Sequence, residues 1–465
     1  MRKLARRDSA GERALRVIEV SKMTSTTESG GAVGTAAESD SAVGTAPLTF
    51  GQMSVWRDIA TLPRERWQEA NIFHSFDFPK PVSRRRLCQV LTELDAKHES
   101  LRTVYETEDP VRPRQRLLAP RPVTEVEVVY AETDDVEART EQMHRRPFDL
   151  RVDRPVRVLG IAAGPPTEDA DQPNLTGMVF CWHHIACDGW SVGLLVREVL
   201  ALLGFGGEPQ PVPASSLRQV AEEQRTSAFW RTKLKSTQRH FRAVYEADAA
   251  SFLDRDPERG GLQAAIESAP LYAATQALVA EHNVSLSTVF TAAFADALSR
   301  YCGPGPIRMG LMTSNRFTER WRPYVTSMNQ LIPILIDGDP DGSFVERLRG
   351  VGVTAMRAYR LGMFDVDQVT PAALGLDLQP SEVKSLCMLN VMDFAPVEFA
   401  AEPTEDGLPE LHWEPVFSNI SAGCYLRVYD TAASTVRLRL RTGGLTEDTV
   451  RGILHGIYQR VLAAA

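Results

Sequence analysis

The sequence predicts a mixed α/β protein built as two lobes. Helical and strand periodicities alternate along the chain on both sides of residues 204–216, a run crowded with glycine and proline (GFGGEPQPVPASS). The length of 465 residues and the apolar content of 43% suffice for two hydrophobic cores. We therefore expect a disordered leader at 1–46, a first lobe at 47–203, a crossover linker at 204–216 and a second lobe at 217–465.

Within each lobe, hydrophobic periodicity predicts particular helices and strands. The apolar run from Met178 to Trp182 is too short for a typical helix and rich in strand-forming residues, which favours a buried strand. Asn283 is placed to end one helix, and Ser285 or Ser287 to cap the next. The predicted helices are Arg84–His98, Leu271–Glu281, Ser287–Arg300 and Thr446–Ala464. The predicted strands are Val123–Tyr130, Arg157–Ala163, Gly177–His184, Ile307–Thr313, Val383–Met392 and Thr435–Arg441.

Composition and charge exclude several classes of partner. The formal net charge is −8 and the chain has no long basic run, so we expect no nucleic acid partner. No apolar run reaches the roughly 18 residues of a membrane span. Arg6 and Arg7 are not followed by the apolar segment of a secretory signal. The six cysteines form no CxxC pair and no series of metal ligands. We therefore expect a cytoplasmic protein with no membrane partner and no metal.

The stretch from Gly177 to Gly204 (GMVFCWHHIACDGWSVGLLVREVLALLG) carries the strongest indication of chemistry. Apolar residues recur at helical spacing after Gly189, so HHIACDG forms a loop between a strand and a helix. The side chains of the adjacent His183 and His184 should point to opposite faces, which leaves one of them for the reaction. An imidazole with a pKa near 6.5 can accept a proton from an attacking amine or hydroxyl. Asp188 suits an ion pair that fixes the loop, and Gly189 a backbone path or close approach that a side chain would block.

Taken alone, a histidine and an aspartate are more often structural than catalytic. The whole string HHIACDG, followed by Trp190 and Ser191, resembles the HHxxxDG core of condensation domains from nonribosomal peptide synthetases, which belong to the chloramphenicol-acetyltransferase-like superfamily. Wax-ester synthases and other acyltransferases share that core, so further matches are needed. Matches in the family's order are TFGQMSVWRDI (Thr49–Ile59), KHESLRT (Lys97–Thr103), PFDL (Pro147–Leu150), GLMTSNR (Gly310–Arg316), MNQLIP (Met328–Pro333) and MLNVM (Met388–Met392).

The resemblance implies two chloramphenicol-acetyltransferase-like α/β sandwich lobes in a V, with a tunnel between them that admits a phosphopantetheine arm from each face. His184 matches the second histidine of the core and would be catalytic, whereas His183 would pack or form hydrogen bonds. Asp188 would bridge the lobes through Arg316, whose guanidinium suits a bidentate carboxylate contact. Asn390 would donate to the oxygen of the tetrahedral intermediate, or else belong to a strand-pairing or polar network.

The resemblance also implies a free-standing condensation enzyme of secondary metabolism, for example in antibiotic biosynthesis. It would join an acyl or aminoacyl thioester to an amine or an alcohol, with the acyl group carried on the phosphopantetheine of an acyl- or peptidyl-carrier protein. The chain itself would bind no cofactor and would act as a monomer. Residues 214–230 and 357–367 depart from the family's pattern, which leaves the acceptor open: a second tethered substrate or a free small molecule.

Other functions remain open at this point. An acyltransferase that uses coenzyme A thioesters would share the chemistry of His184. A non-catalytic condensation-like module that recruits partner enzymes typically has a degraded core, whereas His183, His184, Asp188 and Gly189 are intact here. Epimerisation shares the fold and the core motif, and heterocyclisation is disfavoured because that subfamily replaces the histidines with aspartate.

Overall fold

Three β-sheets and the helices packed on them form the part of the chain that the structure describes. The computed structural model describes residues 42–165, 174–256, 258–378, 387–392, 407–416, 423–430 and 434–465. Sheets of three and four strands are formed by the N-terminal part of the chain, and a sheet of seven strands by the C-terminal part. The predicted mixed α/β class is therefore confirmed.

The described strands are β1 (Ala42–Pro47), β2 (Asn71–Ser83), β3 (Thr103–Glu106), β4 (Arg114–Leu118), β5 (Glu127–Tyr130), β6 (Val156–Ala162), β7 (Asn174–His183), β8 (Gly261–Ser268), β9 (Ile307–Thr313), β10 (Gln330–Ile336), β11 (Cys387–Met392), β12 (His412–Trp413), β13 (Cys424–Asp430) and β14 (Val436–Gly443). The described helices are α1 (Phe50–Ile59), α2 (Arg84–Lys97), α3 (Val136–Arg145), α4 (Gly189–Leu202), α5 (Leu217–Thr226), α6 (Ala228–Glu246), α7 (Ala269–His282), α8 (Leu286–Ser299), α9 (Phe344–Tyr359), α10 (Pro371–Leu374) and α11 (Glu447–Leu462). Short 3-10 helices occur at Arg64–Ala70, Glu99–Arg102 and Val366–Val369. Among the described helices, none combines the length and the apolar character that a membrane crossing requires.

β7 is a central strand of the four-stranded sheet, whose order is β2–β7–β6–β5. The side chains from Met178 to Trp182 are all buried, alternately against α2 and α4 and against apolar clusters on the opposite face. Because both faces are covered, the run is apolar throughout instead of alternating with polar residues. The predicted strand Gly177–His184 is present, but it ends at His183, and His184 begins the following turn.

The seven-stranded sheet has the order β10–β9–β11–β13–β14–β8–β12. β11 runs parallel to β9 and β13, and the other neighbours are antiparallel. One face is apolar, with residues such as Leu389, Leu426 and Leu438, and packs on α7, α8, α9 and α11. Helix α8 is buried along most of its length, which explains its apolar sequence on every side. The opposite face of this sheet carries polar and charged side chains.

Most of the predicted elements are present with small shifts at their ends. β9 matches its prediction at both ends, whereas the strand predicted from Val123 begins at Glu127. Asn283 ends α7 in the left-handed conformation (φ 50°), and the hydroxyl of Ser285 caps α8 by accepting from the backbone of Thr288. Residues 383–386, predicted as the start of a strand, lie outside the described residues.

The predicted leader is wrong at its C-terminal end. Strand β1 begins at Ala42 and pairs antiparallel with β4, so the last part of the segment 1–46 belongs to a sheet. The sequence AVGTAP lacks an alternating apolar pattern, and the strand forms through its backbone pairing with β4. Residues 1–41 lie outside the described residues. The predicted crossover 204–216 contains no helix or strand, since α4 ends at Leu202 and α5 begins at Leu217.

The segment between β9 and β10, residues 314–329, joins the second lobe to the first. Val325 packs in the apolar core of the first lobe. The indole nitrogen of Trp190 donates to the carbonyl of Arg322 at 3.1 Å. A Cβ atom at Gly51 of α1 would lie 2.3 Å from the carbonyl oxygen of Ser327, so this close approach requires glycine. The segment thereby brings the second lobe against the loop that follows β7.

Candidate active site

His183 is the last residue of β7 and lies wholly inside the first lobe. Its side chain is fully buried, and its Nδ1 accepts a hydrogen bond from the backbone N–H of Ile185 at 3.2 Å. Burial, together with the charges of His184 and Arg157, lowers the pKa of His183 to about 3. A neutral ring that is buried and bonded to its own loop cannot reach a substrate. The ring packs and forms a hydrogen bond inside the lobe, and its role in supporting the site stays a prediction.

His184 is the member of the pair that keeps part of its surface accessible. Its backbone N–H donates to the carbonyl of Ala70 at 2.8 Å, which fixes the start of the loop, while its Nδ1 is buried without a partner. Burial lowers the pKa of His184 and the charge of Arg427 acts in the same direction, whereas backbone groups of the loop and the carboxylate of Asp188 raise it. The imidazole is therefore neutral at pH 7, which is the form that accepts a proton.

Asp188 is a buried carboxylate that caps helix α4 and binds the second lobe at the same time. Its Oδ1 accepts from the backbone N–H of Ser191 at 3.0 Å and from the hydroxyl of Ser191 at 2.8 Å. Its Oδ2 accepts from the backbone N–H groups of Met328 at 2.9 Å and Asn329 at 3.2 Å. Burial alone would raise the pKa of Asp188, but the charge of Arg316 and these hydrogen bonds lower it. The side chain is held ionised and immobile.

Arg316 forms the predicted bridge to Asp188, but in a different geometry. Its Nη1 donates to Oδ2 of Asp188 at 2.7 Å, and both side chains are at most 1% exposed. Its Nη2 donates to the hydroxyl of Ser191 at 3.1 Å and to the carbonyls of Tyr324 at 3.1 Å and Thr326 at 2.8 Å. The predicted bidentate contact is therefore wrong. The other carboxylate oxygen is already occupied at the start of α4, so the second guanidinium nitrogen binds the hydroxyl and backbone carbonyls instead.

Gly189 is the first residue of α4, and its φ is not positive. A left-handed backbone conformation is thus not what this position requires. Other residues adopt the same φ at the first turn of a helix without strain. The backbone path or close approach that a side chain at Gly189 would block stays a prediction.

Asn390 lies on β11, on the polar face of the seven-stranded sheet. Its Nδ2 donates to the hydroxyl of Tyr425 at 3.2 Å, and its backbone pairs in register with Arg427 on β13. The Cζ atom of Arg427 stands 4.4 Å from the centre of the Tyr425 ring. Asn390 therefore belongs to a polar network, as one of its two predicted interpretations stated. The amide has a second N–H, so the role in stabilising an intermediate stays a prediction.

Arg427 and Tyr425 are not among the residues that we predicted from the sequence. A signal for this face exists in β14, where arginine alternates with apolar residues, so that Arg437, Arg439 and Arg441 share one face. β13 pairs with β14 in register, which places Arg427 on the same face as Arg439. The alternation identifies a charged face, and the structure is needed to identify what that face meets.

Three residues of the segments TFGQMSVWRDI and KHESLRT form hydrogen bonds inside the first lobe. His98 contacts a carboxylate oxygen of Glu198 through Nε2 at 2.7 Å, and both side chains are 1% exposed. Arg102 donates to backbone carbonyls, among them that of Asp95 at 2.9 Å. The indole nitrogen of Trp56 donates to the carbonyl of Pro110 at 2.9 Å. These contacts fix the scaffold on which the loop after β7 is mounted.

The thiols beside the histidine pair are not suited to act as nucleophiles. Burial raises the pKa of Cys181 to about 12 and that of Cys187 well above its ordinary value. A thiol in such surroundings stays protonated and unreactive. Within the described ranges, no group of three or more histidine, cysteine, aspartate or glutamate side chains is arranged to hold a metal ion. His184 is therefore the group at this loop that is both neutral at pH 7 and partly accessible.

Comparison with known proteins identifies the family. The family model of the condensation domain matches residues 44–372, and this chain therefore belongs to the condensation-domain family. The probable non-canonical nonribosomal peptide synthetase CymA of Salinispora arenicola is 24% identical over 349 residues, which make up 67% of this chain and 4% of CymA. The chain thus spans a small fraction of the length of such curated relatives.

Solved structures share the fold. The condensation domain described as mediating chain release from the enacyloxin polyketide synthase superposes with a TM-score of 0.69 at 16% identity, covering 92% of this chain and 84% of that chain. The SgcC5 protein of Streptomyces globisporus, in complex with (R)-(-)-1-(2-naphthyl)-1,2-ethanediol and sucrose, superposes with a TM-score of 0.68 at 16% identity, covering 90% and 98% of the two chains. The chain therefore has the two-lobed, chloramphenicol-acetyltransferase-like fold of condensation domains.

Proposed function

We propose that this chain is a condensation enzyme that transfers an acyl group from a carrier-protein thioester to an amine or an alcohol at His184. The observation that carries the proposal is the loop after β7. There a neutral, partly accessible His184 is held in place by the buried bridge between Asp188 and Arg316. A non-catalytic docking module would not need a histidine in this state. Membership in the condensation-domain family supports the reaction class.

In the proposed reaction, the nitrogen or oxygen of the acceptor attacks the thioester carbonyl. A C–N or C–O bond forms, the C–S bond breaks, and the phosphopantetheine thiol leaves on the donor carrier. The neutral ring of His184 takes the proton of the nucleophile and returns it to the departing thiolate, or orients the nucleophile through a hydrogen bond. Holding two substrates at one point contributes in addition, because the encounter becomes nearly unimolecular.

The remaining site residues have positioning roles in this proposal. His183 supports the turn from within the lobe, and Gly189 begins the helix that Asp188 caps. Asp188 and Arg316 hold the loop and the second lobe together through buried contacts. Asn390 has one N–H beyond the bond that Nδ2 makes to Tyr425, and that N–H is proposed to stabilise the tetrahedral oxygen.

We further propose an acyl- or peptidyl-carrier protein as the donor partner, in the cytoplasm and in the biosynthesis of a natural product. The phosphopantetheine belongs to that partner and arrives as part of the substrate. The chain is proposed to work on a carrier supplied as a separate protein. The end of the first lobe at residue 203 and the span of the second lobe at residues 217–465 remain part of the proposal.

A transfer assay tests the proposed function. The protein is incubated with a carrier protein loaded with an acyl group on its phosphopantetheine, with amines and diols as acceptors, and the products are measured by mass spectrometry. We expect amide or ester product with the loaded carrier and little product with the matching acyl-CoA. Turnover with acyl-CoA in the absence of holo carrier protein would instead identify a coenzyme A-dependent acyltransferase. Absence of product with every donor and acceptor would contradict the proposal.

The pH dependence of that assay follows from the lowered pKa of His184. A base must be neutral to act, and burial moves the pKa below its ordinary value of 6.5. With an alcohol acceptor, which does not itself titrate in this range, we expect kcat/KM to stay level from pH 8 down to pH 6.5 and to fall only as the pH drops through the lowered pKa. An acid limb centred above pH 6.5 would contradict this assignment of His184.

A further inference from the structure

The polar face of the seven-stranded sheet lies alongside the loop that carries His184. The backbone N–H of Asn329 donates to Asp188 at 3.2 Å, and the side-chain nitrogen of Asn329 lies 3.4 Å from the sulfur of Met312 on β9. The register between β9 and β11 pairs Gly310 with Met388, so Met312 and Asn390, each two residues further on, share one face. Two contacts and the strand register thus lead from the loop of His184 to the face that holds Asn390.

Arg427 occupies the next position across that face. β11 and β13 pair Asn390 with Arg427, and β13 and β14 pair Arg427 with Arg439. Residues paired across strands project to the same side of a sheet. The guanidinium of Arg427 therefore projects on the side that adjoins Asp188 and His184. In agreement with this placement, its charge is one of the causes that lower the pKa of His184.

The arginines of this face differ in what balances their charge. Arg437 and Arg439 share the carboxylate of Glu414, at 2.6 Å and 2.5 Å. Arg427 instead stands 4.4 Å from the centre of the Tyr425 ring, and no carboxylate in the described part of the chain lies within ion-pair distance of it. Burial lowers the pKa of Arg427, but Tyr425 and Glu414 outweigh burial and the pKa is raised. Among the described residues, a charged guanidinium is thus held beside the site with a hydrogen bond to Tyr425 and no paired anion.

We propose that Arg427 binds a carboxylate of the acceptor, so that the acceptor is a free amino acid or hydroxy acid whose amine or hydroxyl is directed at His184. A guanidinium binds a carboxylate through two parallel hydrogen bonds, which fixes orientation as well as position. Tyr425 holds the guanidinium in place through its ring, 4.4 Å away, and through a side-chain hydrogen bond. This inference rests on the proposed function and specifies its acceptor.

The chemistry of the alternatives favours the acceptor as the source of the carboxylate. An amino acid that is tethered to a carrier has its carboxyl group tied up in the thioester, so it offers no carboxylate to Arg427. The phosphate of a phosphopantetheine arm stands at the opposite end of the arm from the thioester and thus away from the reacting atoms at His184. In the transfer itself, the acceptor carboxylate is neither consumed nor protonated. The bond that forms joins the acceptor nitrogen or oxygen to the acyl carbon, and the thiol leaves.

The experiment compares free acids with their methyl esters as acceptors. The panel holds α-, β- and γ-amino acids and hydroxy acids, each with its methyl ester, and the donor is an acyl-loaded carrier. We expect the acids to be accepted with a KM about 10- to 100-fold below that of their esters, the range for a charge-assisted hydrogen bond. Arg427→Gln should raise the KM of the acids by a similar factor, with a much smaller change in the KM of the esters. Equal KM values for acids and esters in the wild-type protein would overturn the inference and leave the proposed function standing.

Two control variants test the geometry of the contact. Arg439→Gln removes the same charge from the same face, but from a guanidinium that Glu414 already balances, and it should change the KM of the acids less than threefold. Arg427→Lys keeps the charge but loses the paired hydrogen bonds, so it should recover only part of the lost affinity. If Arg439→Gln raised the KM of the acids as much as Arg427→Gln does, the effect would come from the overall positive charge of this face and not from a contact with Arg427. That result would overturn the inference.

Two further measurements separate the sources of the anion. With an acyl-N-acetylcysteamine donor, which has no phosphate, the Arg427→Gln defect should persist, and its disappearance would assign Arg427 to the phosphate. The Arg427→Gln defect should also be the same for two donors of which one carries a terminal carboxylate on its acyl group and the other does not.

Binding of the free acids, followed by saturation-transfer NMR on wild-type protein and Arg427→Gln, gives a readout that needs no turnover. Equal binding by the two proteins would overturn the inference even if no transfer is detected, whereas loss of binding in the variant would support it.

Discussion

Replacing His184 with alanine is expected to lower the rate of acyl transfer by about 10²–10⁴-fold, the contribution of a positioned general base. The substitution removes the ring that is neutral and accessible at the loop after β7. The residual rate should stay above that of the uncatalysed reaction, because the protein still holds both substrates together. The measurement is product formation from a loaded carrier, followed by mass spectrometry under single-turnover conditions.

The fold should tolerate this change, which makes His183→Ala the informative control. Nδ1 of His184 has no hydrogen-bond partner to lose. We therefore expect the urea unfolding midpoint of the His184→Ala variant to lie close to that of the wild-type protein. Nδ1 of His183 accepts from the backbone of Ile185, and the ring fills a fully buried position. His183→Ala should therefore destabilise the protein by about 2–4 kcal/mol, because a buried donor loses its partner and a cavity forms. Unchanged turnover in a folded His184→Ala variant would contradict the assignment of the active site.

Local sequence patterns predicted the strand and the loop that carry this site. The side chains from Met178 to Trp182 are buried on both faces of the sheet. Such a strand can be recognised from its apolar composition alone, without knowledge of the tertiary structure. The cap at Ser285 and the left-handed Asn283 were predictable for the same reason, since their chemistry is contained within a few residues. The position of His184 just after the end of β7 follows from the length of that run.

Other strands were missed because their stabilising partners are distant in the chain. β2 spans Asn71–Ser83 and contains Pro79 and Pro81, which argue against a strand, yet it pairs with β7 on both sides of a register shift between Asp77 and Val82. β10 includes Pro333, which is tolerated because β10 is an edge strand. β1 has no apolar alternation at all. Such strands become visible only when the pairing strand is known.

The contacts across the site were predictable from the family resemblance and not from local chemistry. Asp188 and Arg316 are 128 positions apart, and no periodicity relates them. The resemblance supplied the pair but not its geometry, because that depends on Ser191 occupying the other carboxylate oxygen. Arg427 was missed for a further reason. The alternation in β14 reveals a charged face, but its position beside His184 depends on how segment 314–329 packs the second lobe against the first.

Replacing Arg316 with glutamine is expected to lower the free energy of unfolding by about 3–5 kcal/mol, the cost of leaving a buried charge without its partner. Asp188 would keep its bonds to backbone N–H groups, but the charge that holds its carboxylate ionised would be gone. Arg320 provides the matched control, because it also pairs with a carboxylate, that of Glu223, but at the surface. Arg320→Gln should cost less than about 1 kcal/mol, as exposed pairs do.

The two arginine variants are compared by urea denaturation, with Asp188→Asn completing a double-mutant cycle. Since Arg316 and Asp188 touch, the cycle should give an interaction energy above about 1 kcal/mol. The same bridge ties the loop of His184 to segment 314–329, so the loss of stability should be accompanied by a loss of transfer activity in the fraction that remains folded. If Arg316→Gln destabilised the protein no more than Arg320→Gln, the buried bridge would not be what joins the loop to the second lobe. In that case, the hydrogen bonds between Ser191 and Thr326 would be the contacts that hold the loop of His184 in place.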